Sequence, residues 1–367
     1  MCTVTCVRTL PSDAERMKNT LLRLMLLDRR RAVQHSNSYV YFPILSISNA
    51  KLKRVIERAG GRIVQRATPV LPDKLAHTDL LARVMTRAEL ALIPRGFDLL
   101  GSIAIVEIPR ELEPRSSDIA EAVMEANPRI KTVLAKAGAV SGVYRTRKLE
   151  FVAGKRDYIA VHRENGCTFR FDVRKAFFSA RLAHERSVIV SQVRPRERVM
   201  VMFAGVGPFA IEIAKAHPDA KVVAIELNPD AHSYMLDNIE LNRVGNVKAV
   251  LGDVKTAAKD FSGFADRIVM PMPKTSAEFL DEALLVASRT AVVHMYAFSS
   301  ADKPFEALRD SIIRHSSRRG YSVRFLPGRI VRPYSASEVE VVVEYVISKR
   351  GIHAGVAGQK RHATAGS

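Results

Sequence analysis

Arg198-Val-Met-Val-Met-Phe-Ala-Gly-Val-Gly-Pro-Phe-Ala-Ile-Glu-Ile-Ala-Lys215 is the stretch whose reading decides the fold. Its short apolar, β-branched opening suits a strand buried on both faces. The turn Ala204-Gly205-Val206-Gly207 follows, and Pro208 then stands in the first turn of a helix. Gly205 and Gly207 let the backbone bend sharply and approach a ligand. The helix N-terminus leaves N–H groups to face that ligand. A G-x-G turn by itself is as readily a plain strand–helix connection. Working outward, Lys221-Val-Val-Ala-Ile-Glu-Leu-Asn-Pro229 reads as a second strand ending on Glu226. That acid lies roughly 20 residues past the turn, where a doubly wound sheet places a carboxylate for ribose hydroxyls. Lys248-Ala-Val-Leu-Gly-Asp253 ends a third unit on another acid, suited to an adenine amino group. Turn, acid and acid at successive strand ends fit an S-adenosylmethionine site better than a dinucleotide site. Each acid taken singly also fits a helix N-cap.

The 367 residues leave room for two or three domains, and 47% hydrophobic content allows a sizeable core. Lys and Arg number 57 against 38 Asp and Glu, a net charge of +19. That excess favours a polyanion, because neutralising phosphates releases counterions. The three cysteines, Cys2, Cys6 and Cys167, form no C-x-x-C pair and suggest neither zinc nor a disulfide framework. Cys2 and Cys6 read as incidental residues of an exposed terminus. No apolar run reaches the ~18 residues of a membrane span, and the opening residues do not form a signal peptide. A cytoplasmic protein is the expectation.

Along the chain, residues 1–70 read as a small N-terminal α/β domain. It has a helix through Glu15–Leu27 capped by Ser12, a strand at Ser38–Ile44, and a basic helix at 50–59 broken by Gly60-Gly61. Residues 71–90 connect, with a short helix around Leu75–Met85. Residues 90–185 read as an α+β domain. It carries one strand in Phe97–Pro109, a helix near Asp118–Ala126, and strands at Thr132–Ala135 and Ser141–Val152. A hairpin over Tyr158–Asp172 turns at Asn165-Gly166. Arg145, Arg147, Lys148, Arg163, Arg170 and Arg174 of this region suit a phosphate backbone. Residues 186–349 hold the parallel sheet. Strands four and five lie at Arg267–Thr275 and Thr290–Phe298, and a helix lies near Lys303–Arg319. Tyr321–Phe325 and Val339–Ile347 read as a closing antiparallel pair. Residues 350–367 have no periodicity and read as a disordered basic tail.

Met202-Phe-Ala-Gly-Val-Gly-Pro-Phe209, Glu226-Leu-Asn-Pro-Asp-Ala231 and Asp237-Asn-Ile-Glu-Leu-Asn242 resemble the archaeal and eukaryotic tRNA (guanine(37)-N(1))-methyltransferase family. So does the block Phe178-Ser-Ala-Arg-Leu-Ala-His-Glu-Arg186, and the likeness runs over nearly the whole chain to Lys349. It implies a class I, Rossmann-like, seven-stranded methyltransferase domain, preceded by an RNA-contacting α+β domain and the small N-terminal domain. It implies S-adenosyl-L-methionine as cofactor and tRNA as partner, met at the anticodon loop and outer corner by a monomer. The implied reaction is methylation of N1 of guanosine 37, with no metal. Matched motif by motif, Glu185 becomes the general base and Arg145 the cation near O6. Arg186 would line the cofactor pocket with Phe203, Gly205, Gly207, Pro208, Glu226, Leu227, Asp253, Val254 and Met270.

On the residues alone, Glu185 also fits an i, i+4 pair with Arg181, and Arg145 a phosphate clamp. His294 and Tyr296 read as packing or supporting residues, and Phe177 or Tyr144 as aromatic supports for a base leaving its stack. Two positions depart from the family pattern. Val201 replaces an acid, and Met270-Pro-Met-Pro-Lys274 replaces Asn-Leu-Pro or Asn-Pro-Pro. A branch linked to wyosine derivatives shares both features. Methylation of a wyosine precursor, aminocarboxypropyl transfer, and tRNA binding without turnover therefore stay open.

Overall fold

The computed structural model describes all residues except 1, 25, 29, 30, 37, 46–49, 70–75, 95, 139–141, 145, 336 and 351–367. Arg145 and the tail from residue 351 thus lie outside the described residues. Backbone packing divides the chain once, after Val84.

The first unit is an antiparallel sheet in the order β2-β3-β1-β4. Its strands are β1 (Cys2–Thr9), β2 (Gln34–His35), β3 (Val40–Pro43) and β4 (Arg62–Thr68). Its helices are α1 (Ala14–Arg23), α2 (Ala50–Arg58) and α3 (His77–Leu81). Val7, Val40 and Phe42 of one sheet face meet Met17 and Leu21 of α1 and Ile56 of α2 in one core. Three sequence expectations are corrected here. Cys6 is fully buried on β1 rather than incidental in an exposed terminus, and burial raises its thiol pKa. Ser12 caps nothing: Pro11–Asp13 forms a 3-10 turn that feeds α1. The helix stops at Arg23 because the leucines beyond it are claimed by β3's neighbourhood, where Leu27 bridges Ile44.

The second unit opens with α4 (Arg87–Leu92). A four-stranded sheet follows in the order of its strands, β5 (Asp98–Leu100), β6 (Ile103–Val106), β7 (Thr132–Lys136) and β8 (Leu149–Gly154). The single strand expected in Phe97–Pro109 is two, because Gly101 takes a φ of +59° and turns the chain back on itself. The sheet's helix is α5 (Ser116–Ala126). The hairpin β9 (Ile159–Glu164) and β10 (Cys167–Asp172) turns where the sequence put it, with Asn165 and Gly166 both at positive φ. After α6 (Ala183–Gln192) comes the large sheet.

That sheet contains β11 (Arg198–Met202), β12 (Lys221–Glu226), β13 (Val247–Leu251), β14 (Ala265–Met270) and β15 (Ala287–Ser300), all parallel. It adds β16 (Tyr321–Phe325), β17 (Arg329–Pro333) and β18 (Glu338–Lys349). The order is β13-β12-β11-β14-β15-β18-β16, and β17 also pairs with β18. The expected closing pair is β16 with β18; β17 is a strand the sequence reading missed. The covering helices are α7 (Pro208–Ala216), α8 (Pro229–Leu241), α9 (Val254–Ala257), α10 (Leu280–Val286) and α11 (Glu306–Arg318). Strand order reverses beside β11, so the glycine turn at its carboxyl end opens into the crevice where such sheets bind ligands.

One core joins Leu100, Ile103 and Leu134 of the small sheet, Phe169 and Phe171 of the hairpin, and Val199, Val201 and Val269 of the large one. Residues on both sides of 185 and 186 therefore share a single interior. No helix among the described residues is long and apolar enough to cross a membrane.

Candidate active site

The glycine turn is shaped by two different constraints. Gly207, the N-cap of α7, has a φ of +89°, and a Cβ there would lie 2.9 Å from both Ile211 and Met235. Only glycine fits. Gly205 also has positive φ, at +58°, but a Cβ there would meet nothing closer than the Phe177 carbonyl oxygen at 3.7 Å. The turn is thus packed below and open above, a cradle whose backbone a ligand can approach. Glu226 ends β12 beneath it. Its Oε2 accepts from the Gly205 N–H at 2.7 Å and its Oε1 from the Asn228 N–H at 2.8 Å. Burial raises the Glu226 pKa, and these N–H groups oppose the rise. Pro208 is half-buried at the start of α7, and Phe203 is set edge-on against Phe279, with centroids 4.7 Å apart.

The remaining expected cofactor residues divide. Leu227 and Asp253 are exposed at strand ends, as a contact residue requires. Asp253 also caps α9, accepting from the Lys255 N–H at 2.9 Å. Met270 and Val254 are buried in the core on the opposite sheet face from Val201. At the Met270 turn, the Ser276 hydroxyl donates to the Met270 and Met272 carbonyls. Arg186 is 1% exposed and sits among Glu164, Glu212 and the Ser179 carbonyl. Its guanidinium braces hairpin, α6 and α7, a placement different from the pocket lining expected of it. Ser179 makes no side-chain cap.

Glu185 lies in the first turn of α6, buried at 6% exposure. Arg181 pairs with Asp98 at 2.8 Å, so the i, i+4 alternative for Glu185 is not what forms. Instead Glu185 Oε2 accepts from Arg329 Nη2 at 2.9 Å and from the Tyr296 hydroxyl at 3.4 Å. Burial and the neighbouring Glu185 charge hold the Tyr296 pKa well above its ordinary value, so its proton stays to be donated. Tyr296 in turn packs against Phe209 of α7, with ring centroids 6.0 Å apart, which links this carboxylate to the helix the glycine turn starts.

Behind Glu185 runs a seam of polar groups of which the sequence reading named only His294, as a packing or supporting residue. Arg329 Nη1 donates to Glu344 Oε2 at 2.9 Å. His294 Nδ1 lies 2.8 Å from Glu344 Oε1, and its Nε2 lies 2.6 Å from Arg267 Nη1. Arginine can only donate; His294 therefore accepts at Nε2 and donates from Nδ1. Burial and the Arg267 charge lower the His294 pKa, keeping it neutral. Arg267 also donates to Glu197 at 3.0 Å and to the Gln192 carbonyl at 2.7 Å. Burial opposes the Glu344 anion, but His294 and Arg329 hold its pKa below the usual carboxylate range.

Of the cations expected at a phosphate backbone, Lys148, Arg163 and Arg170 are exposed. Arg147 is committed: it donates to Asp98 at 2.9 Å and stacks over Phe177. Arg174 pairs with Asp172 and covers Tyr158.

A parallel sheet closed by an antiparallel β18, with a glycine cradle after its first strand and an acid ending its second, defines the class I methyltransferases. Three family models match: the TRM5/TYW2 methyltransferase domain at residues 160–323, the TYW2 N-terminal domain at 77–157, and the tRNA methyltransferase 5 N-terminal domain at 6–52. The tRNA (guanine(37)-N(1))-methyltransferase Trm5b of Pyrococcus abyssi is 31% identical over 342 residues, 92% of this chain and 97% of that protein. The tRNA 4-demethylwyosine(37)-methyltransferase Taw21 of Saccharolobus solfataricus is 30% identical over 251 residues, 68% of this chain and 93% of that one. The solved complex of aTrm5 with tRNALeu superposes with a TM-score of 0.66 at 26% identity, covering 93% of this chain and 99% of that one. The chain belongs to the Trm5 family of tRNA (guanine(37)-N(1))-methyltransferases.

Proposed function

We propose that this protein methylates N1 of guanosine 37 in the anticodon loop of tRNA, with Glu185 as general base. The observation that carries the reading is a buried carboxylate held by Tyr296 and Arg329, with Tyr296 in one core with Ala204 and Val206 of an open glycine turn. Gly205, Gly207, Glu226, Leu227 and Asp253 would hold S-adenosyl-L-methionine, with Pro208 and Phe203 beside them. When bound, that cofactor supplies a methyl group already activated by a sulfonium charge.

What remains for the protein is the base. Guanine N1 carries a proton at neutral pH, and its lone pair is tied into the ring. Glu185 takes that proton while charge builds on O6, where the family likeness puts Arg145. Arg186 acts here by holding the hairpin against α6 and α7, so that Glu185 keeps its place. Glu185→Gln is expected to cut turnover by about 10²–10⁴-fold and leave cofactor affinity in calorimetry unchanged. Unaltered turnover would remove Glu185 as the base.

In this reading residues 1–70 check the outer corner of the tRNA. Arg8 stacked over Tyr39 and Arg66 over Tyr41 give that unit a cationic, aromatic surface in support. Residues 90–185 meet the phosphate backbone through Lys148, Arg163 and Arg170, residues 186–349 hold the cofactor, and the protein works as a cytoplasmic monomer.

Val201 within the core and the Met270-Pro-Met-Pro-Lys274 element favour a second product, a wyosine precursor methylated at the same position. The similarity to Taw21 agrees with it. Mass spectrometry of nucleosides from treated tRNA, carrying either guanosine or the tricyclic precursor at position 37, separates the two.

A further inference from the structure

We propose that Arg329 aims Glu185: bridging Glu185 and Glu344, it pins one carboxylate oxygen, sets an opposite charge against the buried group and leaves the other oxygen to receive a proton. The inference rests on Glu185 being the base.

Three strands converge to make this contact. Tyr296 of β15 and Arg329 of β17 pair with the same residue of β18, Val342, from opposite sides. That register brings both donors onto Glu185 Oε2 from below α6. Two donors on one oxygen set the orientation of the whole carboxylate. Oε1 takes no hydrogen bond among the described residues.

The charge argument is independent of the orientation argument. The Glu185 side chain is 8% exposed, and a buried carboxylate without a cation neutralises by binding a proton. A protonated Glu185 is no base. Tyr296 donates a hydrogen bond but brings no charge. The arginines on the same stretch of chain are engaged elsewhere, Arg181 with Asp98 and Arg186 with Glu164 and Glu212. Among the described residues Arg329 is the one cation that meets Glu185. Burial works against the Arg329 charge, yet its bonds to Glu185 and Glu344 raise its pKa above the ordinary guanidinium value.

Arg329 is itself held from behind. Glu344 takes its second N–H, and Glu344 is anchored through His294 and Arg267 to Glu197 and to the Gln192 carbonyl. Gln192 ends α6, and Glu185 stands in its first turn. The seam therefore ties both ends of α6 to the sheet, and Arg329 is its outermost link, at 31% side-chain exposure.

The test compares Arg329→Met and Arg329→Lys with the parent protein by two measurements. The ¹³C titration of the Glu185 carboxyl is assigned by its loss in Glu185→Gln and recorded without substrate. Single-turnover methylation is followed against pH. Arg329→Met is expected to move the carboxyl titration and the acid limb of the rate profile together, by about one pH unit or more toward higher pH. Cofactor affinity should stay unchanged. Arg329→Lys should move both by less, since an ammonium keeps the charge but loses the two-pronged grip. If Arg329→Met does not fold, the lysine variant carries the test. A titration and an acid limb that stay in place in the folded variants overturn the proposal. If instead Glu185→Gln turns over normally, the base assignment falls, and the aiming role falls with it.

Discussion

Around Arg186 two carboxylates face one guanidinium, Glu164 at 2.6 Å and Glu212 at 3.3 Å. All are shut away from water, so the cluster is relieved if one acid keeps its proton. Burial, aided by the like charge of Glu164, pushes the Glu212 pKa up to about 8, against the pull of Asn165 and Arg186. In the unfolded chain this acid ionises near 4.5. Because the folded value is the higher one, the stabilising contribution is complete below the unfolded value and is lost as pH rises through the folded one. Urea unfolding is therefore expected to show stability declining between about pH 5 and 8, and Glu212→Gln should flatten that slope. An identical slope in the variant would place the proton elsewhere. Arg186, which the family likeness places in the lining of the cofactor pocket, is thus held between two buried carboxylates, and only the tertiary structure shows those partners.

Helix α8 shows how an element is seated by its side chains. The edge strand β10 offers N–H and carbonyl groups that no further strand covers. Asn242 accepts from the Thr168 N–H at 2.8 Å and donates to its carbonyl at 2.6 Å, as a neighbouring strand's peptide would. Asn238, one turn earlier and fully buried, accepts from the Arg170 N–H at 2.7 Å and donates to the Val206 carbonyl at 3.2 Å. One side chain thus joins the hairpin, α8 and the glycine turn. Asn238→Ala leaves those partners unmet in a dry place and is expected to cost about 1–3 kcal/mol in urea unfolding. Cofactor binding should weaken in calorimetry as the Val206 carbonyl loses its donor. Parental stability would mean that the bonds are formed but carry no net energy. The i, i+4 asparagines were visible in the sequence as part of a motif, but their partners on β10 were not.

For the whole molecule the division after Val84 matters most. The small sheet, the hairpin and the large sheet share one interior from Leu100 to Val342, which includes Ala204 and Val206 of the glycine turn and Tyr296, the hydrogen-bond partner of Glu185. Residues 85–367 are accordingly expected to fold without the first 84. Their cofactor affinity should match that of the full chain, measured by calorimetry alongside a single cooperative melting transition. A fragment that melts without cooperativity would show that the first unit is needed to complete this interior. A cut at residue 186 would instead divide α6 and expose both halves of that core.

The glycine turn, the acid closing β12, the Asn165-Gly166 hairpin and the places of the parallel strands along the chain were legible in the residues, because each depends on local backbone preference or on apolar spacing. Glu185 was legible through its motif. Its partners were not: Tyr296 lies 111 residues away along the chain and Arg329 lies 144. Nothing local marks Arg329 as different from any other arginine on a short edge strand. Its role arises because the pairing of β15, β17 and β18 brings two donors and a carboxylate to one point and then excludes water. Sequence decides which groups are present and which backbone bends; the packing that sets a carboxylate and a guanidinium against each other in one orientation, away from water, exists only once the chain is folded.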